Sequence, residues 1–375
     1  MIECPEGQAV DVTFLHFANL RLGAGFPTLG PRGRDQRARL VATLESLADL
    51  AVAEHAQAVV ISGDLFGCPV PAPGTLKSAR AFFARLRDAA IPVVLLAGSR
   101  DPQTLFGPQQ QANARELLEG AYLLDQLNPQ ATVEHLGLVF QWVSLAHPEH
   151  YTAADLDRRN RLTVVGMACR DSTEAGNLAA IADAFADTGI DYLAVGGYLD
   201  FSVQQRNSLT VCSPGVPEPL EWGQEEGSIA LTRIGAGTTE VTRARTGIRS
   251  LARRDLVLTL TTAHEVVSLI ADQAHEDLGL EVILRGECPG HVLIDPASIE
   301  SELGARFFHL RVVDRTKLII DAGERSDLPR GTVLGNFARV MDARIRGAGG
   351  AESRMHEREA YRLGMGLLQG EGTPP

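Results

Sequence analysis

Ala58-Val59-Val60-Ile61-Ser62-Gly63-Asp64-Leu65-Phe66 is the stretch on which the fold turns. Four apolar residues run without a break into a polar turn, the pattern of a strand buried on both faces that ends by presenting a carboxylate. Working outward, Val12–Phe17 is a second such run and opens into Ala18-Asn19-Leu20-Arg21-Leu22-Gly23. Residues 91–97 form a third and open into Gly98-Ser99-Arg100-Asp101. Between them, residues 36–55 place Leu40, Leu44, Leu47, Leu50 and Ala51 at helical spacing, and residues 76–90 place Ala79, Phe82, Phe83 and Leu86 on one stripe. Strand, loop, helix, strand, loop, helix, strand predicts parallel strands joined by crossover helices.

Further strands are predicted at 131–135, 138–143, 162–167, 192–195, 209–212 and 228–234, with a helix at 177–188. Residues 1–245 therefore read as a layered α/β sandwich. Residues 241–254 carry Arg243, Arg245, Arg249, Arg253 and Arg254 without an acidic residue, and read as a basic linker, either a solvated connector or a phosphate-contacting strip. Residues 246–320 read as a small α+β domain, with strands at 256–260, 281–285, 291–294 and 307–313 and helices at 263–277 and 296–303. Residues 321–375 read as a helical tail, with helices at 334–345 and 352–368 split by Gly-Ala-Gly-Gly.

The chain has 375 residues, 45% hydrophobic and 22% charged, so it has length for a large domain and a smaller one. Its net charge of −12 opposes tight autonomous binding to a phosphate backbone. The five cysteines, Cys4, Cys68, Cys169, Cys212 and Cys288, form no CxxC pair and read as free thiols in a reducing compartment. The first residues lack a basic and then apolar leader, and no apolar run has the length of a membrane span, so a cytoplasmic location is expected.

In an open α/β sheet the functional loops lie at the carboxyl ends of the strands. The three loops above and a fourth, Gly196-Gly197-Tyr198-Leu199-Asp200, occupy such positions. In order and spacing they resemble the metal-binding loops of the calcineurin-like metallophosphoesterases, whose pattern is D-x-H, G-D, G-N-H-D/E, a lone His and G-H-x-H. The resemblance is to the DNA-repair exonuclease branch, the SbcD-type nuclease subunit that partners a coiled-coil ATPase. Cys212-Ser213-Pro214-Gly215 resembles the small-Pro-Gly turn that follows the last motif. The resemblance implies an α/β/β/α sandwich with a small capping domain and a helical tail. It also implies two Mn-, Mg- or Zn-type ions in an active member, dimerisation through the phosphoesterase domain, and docking of the ATPase on the C-terminal helices.

Carried over residue by residue, the motif is degenerate. Asn19 stands for the first Asp and Arg21 for its His partner; Asp64 is kept. Ser99 replaces the Asn and Arg100 the following His, and Gly197 and Leu199 replace both histidines of the last motif. Gly166 or Met167 occupies the lone-His position, and Asp101 matches a supporting acidic position. Two-metal hydrolysis needs several oxygen or imidazole donors on each cation, and one carboxylate with two arginines is not that set. No metal, cofactor or catalytic residue is therefore expected. Arg21 and Arg100 are candidates for anion binding in the old cleft, or for internal salt bridges to Asp64 or Asp101.

Other histidines carry less. Ala146-His147-Pro148-Glu149-His150 reads as a polar loop, because Pro148 keeps its histidines off one helix face. Asp171-Ser172 reads as a loop, and His16 as a core histidine within a strand. Tyr361, Met365 and Leu368 with Leu363 and Leu367 form an apolar surface that packs either on a partner helix or on the chain's own small domain. The favoured reading is a non-catalytic binding or regulatory relative of the repair nuclease subunit, DNA being at most a weak partner alone. The competing readings are an active phosphodiesterase with non-standard ligands around Asp64, and a small-molecule-binding protein on the same scaffold.

Overall fold

The computed structural model describes residues 11–102, 117–125, 128–147, 163–169, 177–235, 238–259, 263–289, 294–319 and 331–369. The chain divides into two compact units, one running to Leu220 and resuming over Gln224–Arg249, the other holding Glu221–Gly223 and the residues from Ser250 onward.

The first unit contains β1 (Val12–Phe17), α1 (Gly33–Ala53), β2 (Ala58–Ile61), α2 (Pro73–Asp88), β3 (Val93–Leu96), β4 (Tyr122–Leu124), β5 (Gln130–Val133) and β6 (Leu138–Trp142). It continues with β7 (Thr163–Cys169), α3 (Leu178–Phe185), β8 (Tyr192–Gly196), β9 (Phe201–Arg206), β10 (Leu209–Pro214), β11 (Ser228–Gly235) and β12 (Thr238–Arg245). One six-stranded sheet has the order β12-β11-β1-β2-β3-β4 and the other β5-β6-β7-β8-β10-β9. β1 to β4 are mutually parallel, as are β6, β7, β8 and β10. Parallel strands buried on both faces explain why β2 and β3 are unbroken apolar runs, while β1 is interrupted only by Thr13 and His16.

Strand alternation sorts these side chains into layers. Phe14, Val60 and Val94 from the first sheet meet Phe140, Met167 and Tyr192 from the second in one core. On the outer face of the first sheet, Phe17 packs edge-on against Phe82 of α2, ring centroids 6.1 Å apart. Outside the second sheet, Leu193, Val195 and Val211 pack on Leu178, Ala182 and Phe185 of α3. The result is the expected α/β/β/α order of layers.

The basic segment 241–254 is mostly strand, and the passage from the first unit to the second falls within it after Arg249. Its first half lies in β12, paired antiparallel with β11 from Thr238↔Gly235 to Arg245↔Ser228, and its second half begins β13. Glu226 neutralises Arg243 at 3.3 Å and Arg245 at 3.1 Å, and Arg243 also lies over the Phe201 ring. This edge strand carries only Val241 against the core, so it lacks the run of alternating apolar residues by which strands are read.

The second unit contains β13 (Ser250–Thr259), α4 (Ala263–Ala271), β14 (Leu278–Pro289), α5 (Pro296–Leu303), β15 (His309–Asp314), β16 (Lys317–Ile319), α6 (Val333–Gly347) and α7 (Ala351–Gln369). Its sheet is parallel throughout, with β14 central. Leu258, Leu280 and Val312 face Val266, Ile270 and Ile299 of the helices. On the other face Glu281 sits between Arg253 at 2.6 Å and Arg311 at 3.2 Å. Strand β14 covers the predicted strand 281–285 and extends beyond it; of the predicted strand 291–294, residues 291–293 lie outside the described residues.

Helices α6 and α7 close on each other through Ala338, Met341, Ile345, Tyr361 and Met365, with Phe337 stacked on Tyr361 at 6.1 Å. The apolar surface read on α7 thus splits. Tyr361 and Met365 close this hairpin, whereas Leu363, Leu367 and Leu368 are exposed. Among the described residues no helix is long and apolar enough to cross a membrane, and Cys68, Cys169 and Cys212 are free thiols.

Candidate functional site

The loops after β1, β2, β3 and β8 meet at the carboxyl ends of the strands. The first two are zipped by backbone hydrogen bonds: Asn19 N–H to Gly63 O at 3.0 Å, Arg21 N–H to Asp64 O at 3.0 Å, Leu22 N–H to Leu65 O at 2.8 Å and Gly67 N–H to Leu22 O at 3.0 Å. Asn19, Arg21 and Asp64 have φ of 56°, 51° and 53°. Three non-glycine residues in the left-handed region within two facing loops is a concentration of strain of about 1 kcal/mol each, the kind that ligand-holding loops carry.

Close approach of backbones explains the glycines. A side-chain carbon on Gly98 would collide with Asp64, and one on Gly63 would fall 2.5 Å from Cys169 Sγ and 3.3 Å from the Gly98 Cα. One on Gly196 would collide with the Ser62 carbonyl.

Each candidate has a definite place. Asn19 is fully buried, and its amide nitrogen donates to the carbonyls of Tyr198 at 2.7 Å and Gly215 at 3.0 Å. Its amide oxygen accepts from Gly197 N–H at 3.1 Å, so the side chain fastens the β1 loop to the β8 loop and the end of β10. Asp64, 2% exposed, accepts from Arg100 N–H on Oδ1 at 3.0 Å. Its Oδ2 lies 3.9 Å from Arg21 Nε and 3.7 Å from Arg100 Nε. Arg21 is buried there, whereas Arg100 is half exposed and Ser99 exposed.

Asp101 is also buried, its two oxygens accepting from the N–H groups of Phe66 and Gly98, each at 2.7 Å. Burial pushes its carboxyl up to about 7, against those two bonds and with the Asp64 charge adding to the rise. Gly197 turns the β8 loop with φ 81°, and Leu199 is partly buried on the same loop. The structure brings together Asn19, Arg21, Asp64, Ser99, Arg100, Asp101 and Gly197. Of the salt bridges anticipated from sequence, those to Asp64 form; Asp101 instead caps backbone amides.

One neighbour of these loops was missed. Gly166 faces Leu193 and Ile190 inside β7, and Met167 lies in the core between the sheets, so neither reaches the loops. Cys169, at the end of β7, does reach them and sits against Gly63 and Gly196. Its signal was available: it lies two positions beyond Met167, on the same strand face and at the strand's end.

His16 is a core residue, fully buried with Nδ1 2.8 Å from Tyr192 Oη and Nε2 2.8 Å from Ser62 Oγ. Burial lowers its pKa to about 3. Thr232 Oγ1 donates to Tyr192 Oη at 3.2 Å and extends the network across the sheets. In the 146–150 loop, residues 148–150 lie outside the described residues, as do Asp171 and Ser172.

Among the described residues no group of three or more His, Cys, Asp or Glu is placed to hold a metal ion. Of the acidic groups at the loops, Asp101 has both oxygens engaged by backbone amides and Asp64 has two guanidinium groups on one oxygen. That described donor set does not fit a pair of cations.

No family model matches the chain. A 90-residue stretch is 31% identical to the DNA double-strand break repair protein Mre11 of Saccharolobus solfataricus; it covers 24% of this chain and 23% of that protein, so the similarity spans about a quarter of the relative's length. Among solved structures, TT1561 of Thermus thermophilus aligns with a TM-score of 0.39 and 14% identity, over 62% of this chain and 99% of that one.

Proposed function

We propose that this chain is a non-hydrolytic member of the calcineurin-like metallophosphoesterase lineage, on the DNA-repair exonuclease branch, acting as a binding or regulatory module beside a coiled-coil ATPase. The observation that carries this reading is the Asn19 amide. Facing two carbonyl oxygens, it does what a metal-binding carboxylate in its place would oppose. Arg21 and Arg100 add fixed positive charge where a cation pair would have to sit. The local identity with a double-strand break repair protein supports the branch.

A net charge of −12 favours recruitment by a partner over autonomous DNA binding. Leu363 and Leu367, four positions apart and exposed on α7, support the docking of a partner helix there. A homodimer through the first unit remains part of the proposal.

Metal analysis of the purified chain, paired with a phosphodiester hydrolysis assay in manganese, tests the catalytic half. The reading expects neither stoichiometric metal nor turnover, and metal together with turnover, both lost in Asp64→Ala, would overturn it. Co-purification tests the partner half. Capture of a long coiled-coil ATPase that is lost in Leu363→Asp/Leu367→Asp supports it, and capture unaffected by that change removes α7 from the proposal.

A further inference from the structure

We infer that the outer edge of the second unit's sheet is a self-association site, where β13 of a second copy of this chain pairs antiparallel with β13. This goes beyond the function proposed above, whose homodimer lies on the first unit. β13 is ten residues long and stands at the end of the strand order β13-β14-β15. Ser250 N–H donates to Asp277 O at 3.1 Å, on the β14 side. In a parallel ladder alternate residues send both backbone groups to the same neighbour, so Ala252, Arg254 and Leu256 also send theirs to β14. The backbone groups of Leu251, Arg253, Asp255 and Val257 then face outward, and Leu251 O accepts from Gly223 N–H at 2.7 Å. Arg253 O accepts from the Arg254 guanidinium at 3.1 Å. Among the described residues, neither backbone group of Asp255 or of Val257 has a hydrogen-bond partner. Arg253, Arg254 and Asp255 are exposed and Val257 is 64% exposed, so this stretch of edge is open to solvent.

An unpaired edge is a template for a further strand, and here the side chains select which one. Pairing two copies about a twofold axis, with like faces of the sheets together, sets one residue opposite itself. Centred on Arg253, Arg254 or Asp255, that pairing puts like charges directly opposite each other, which is destabilising. Centred on Leu256, it puts Leu256 against Leu256 and Asp255 against Val257 of the second copy. The two residues whose outward N–H and C=O are both free then satisfy each other. Asp255 brings no uncompensated charge, being held by Arg285 at 2.5 Å. Val257 loses its exposure, and Leu256, packed against the second unit's core, extends apolar contact across the axis. The paired stretch ends with Arg253 opposite Thr259, clear of the Leu251 carbonyl that Gly223 already occupies. The edge is its own complement.

Sedimentation velocity of the 375-residue chain over a series of concentrations, under reducing conditions, measures the association. A concentration-dependent doubling of mass is expected, and it should be absent in Val257→Pro. The Val257 N–H points away from β14, so proline there removes an edge donor and no bond within the sheet. Val257→Asp, a change at an exposed position, sets a carboxylate opposite Asp255 in both halves of the pair and should weaken association about tenfold. Circular dichroism checks that both variants fold. Leu256→Cys reads the register, because opposite residues at a non-hydrogen-bonded site have Cα atoms ~4.5 Å apart, within disulfide reach. Under mild oxidation it should cross-link copies well above the wild-type level, and Asp255→Cys should not.

Equal sedimentation of wild type and Val257→Asp at every concentration overturns the inference, as does cross-linking of Asp255→Cys at or above the level of Leu256→Cys. An edge filled instead by a strand of another protein would leave the purified chain without the step, and counts equally against a second copy. The mass remaining in Val257→Pro reads the first-unit homodimer separately. A residual dimer leaves that proposal standing, and a monomer removes it without touching this one.

Discussion

The Asn19 amide nitrogen donates to the carbonyl oxygen of Gly215 at 3.0 Å, joining positions 196 residues apart. The same nitrogen reaches Tyr198 O, so both of its protons are used, and the amide oxygen takes the Gly197 N–H. A carboxylate has no proton for either carbonyl and, being ionised at pH 7, would be buried against two negative dipoles.

Asn19→Asp is therefore expected to destabilise the first unit by about 2–4 kcal/mol at pH 7, rather than to rebuild a metal site. Urea unfolding measures the loss, and manganese titration of the folded variant should show no new site. A variant as stable as wild type that binds manganese would refute the assignment.

Asp64→Asn leaves two guanidinium groups without their shared carboxylate. A loss of about 1–3 kcal/mol is expected, most of it from Arg21, because Arg100 remains solvated. Replacing Arg21 by Met in the same chain should recover part of it, and the coupling is read from a double-mutant cycle of urea midpoints. Strict additivity would mean that the two do not interact.

Burial of His16 and of Asp101 gives pH dependences of opposite sign. The His16 pKa is lowered from 6.5 to about 3, so the folded chain resists a proton that the unfolded chain accepts. Stability is lost as pH falls from about 6.5 towards 3, with a slope approaching about 1.4 kcal/mol per pH unit. Asp101 is raised from 3.8 to about 7, so its stabilising contribution is complete below the lower value and is lost as pH rises through the upper one. Over pH 4 to 6.5 the two slopes offset. His16→Gln should unmask a decline with rising pH and Asp101→Asn a decline with falling pH, both read by urea midpoints across that window. Parallel profiles for the two variants would contradict the burial assigned to these groups.

A side-chain carbon on Gly364 of α7 would collide with the Phe337 ring. Gly364→Ala should therefore displace the Phe337–Tyr361 stack and cost the hairpin about 1–3 kcal/mol, although alanine is the better helix former. Helix content followed by circular dichroism on heating checks it, and a rise in melting temperature would show that Phe337 moves aside freely.

The inner strands of the first unit were legible because they are buried on both faces. Val12–Phe17 and Ala58–Ile61 have the same bounds in sequence and structure, and the loops holding Asn19, Asp64 and Arg100 follow from where those runs stop. Strand β12 was not legible. Val241 alone packs on the core among mostly polar residues, and the strand's arginines answer to Glu226, which lies outside the segment. The place of Cys169 depended on how far β7 runs, and strand ends are poorly marked where a small polar-tolerant residue closes the run. The left-handed backbone of Arg21 was hidden for another reason: arginine, unlike Asp64, gives no signal for that conformation, and loop-to-loop hydrogen bonds impose it.

The most direct test of a loop cluster without a metal pair is anomalous diffraction at the manganese edge from crystals of the 375-residue chain grown with manganese. Guanidinium density from Arg21 and Arg100 about Asp64, the Asn19 amide on the Tyr198 and Gly215 carbonyls, and no paired anomalous peaks are expected. Two peaks about 4 Å apart, bridged by Asp64, would contradict this.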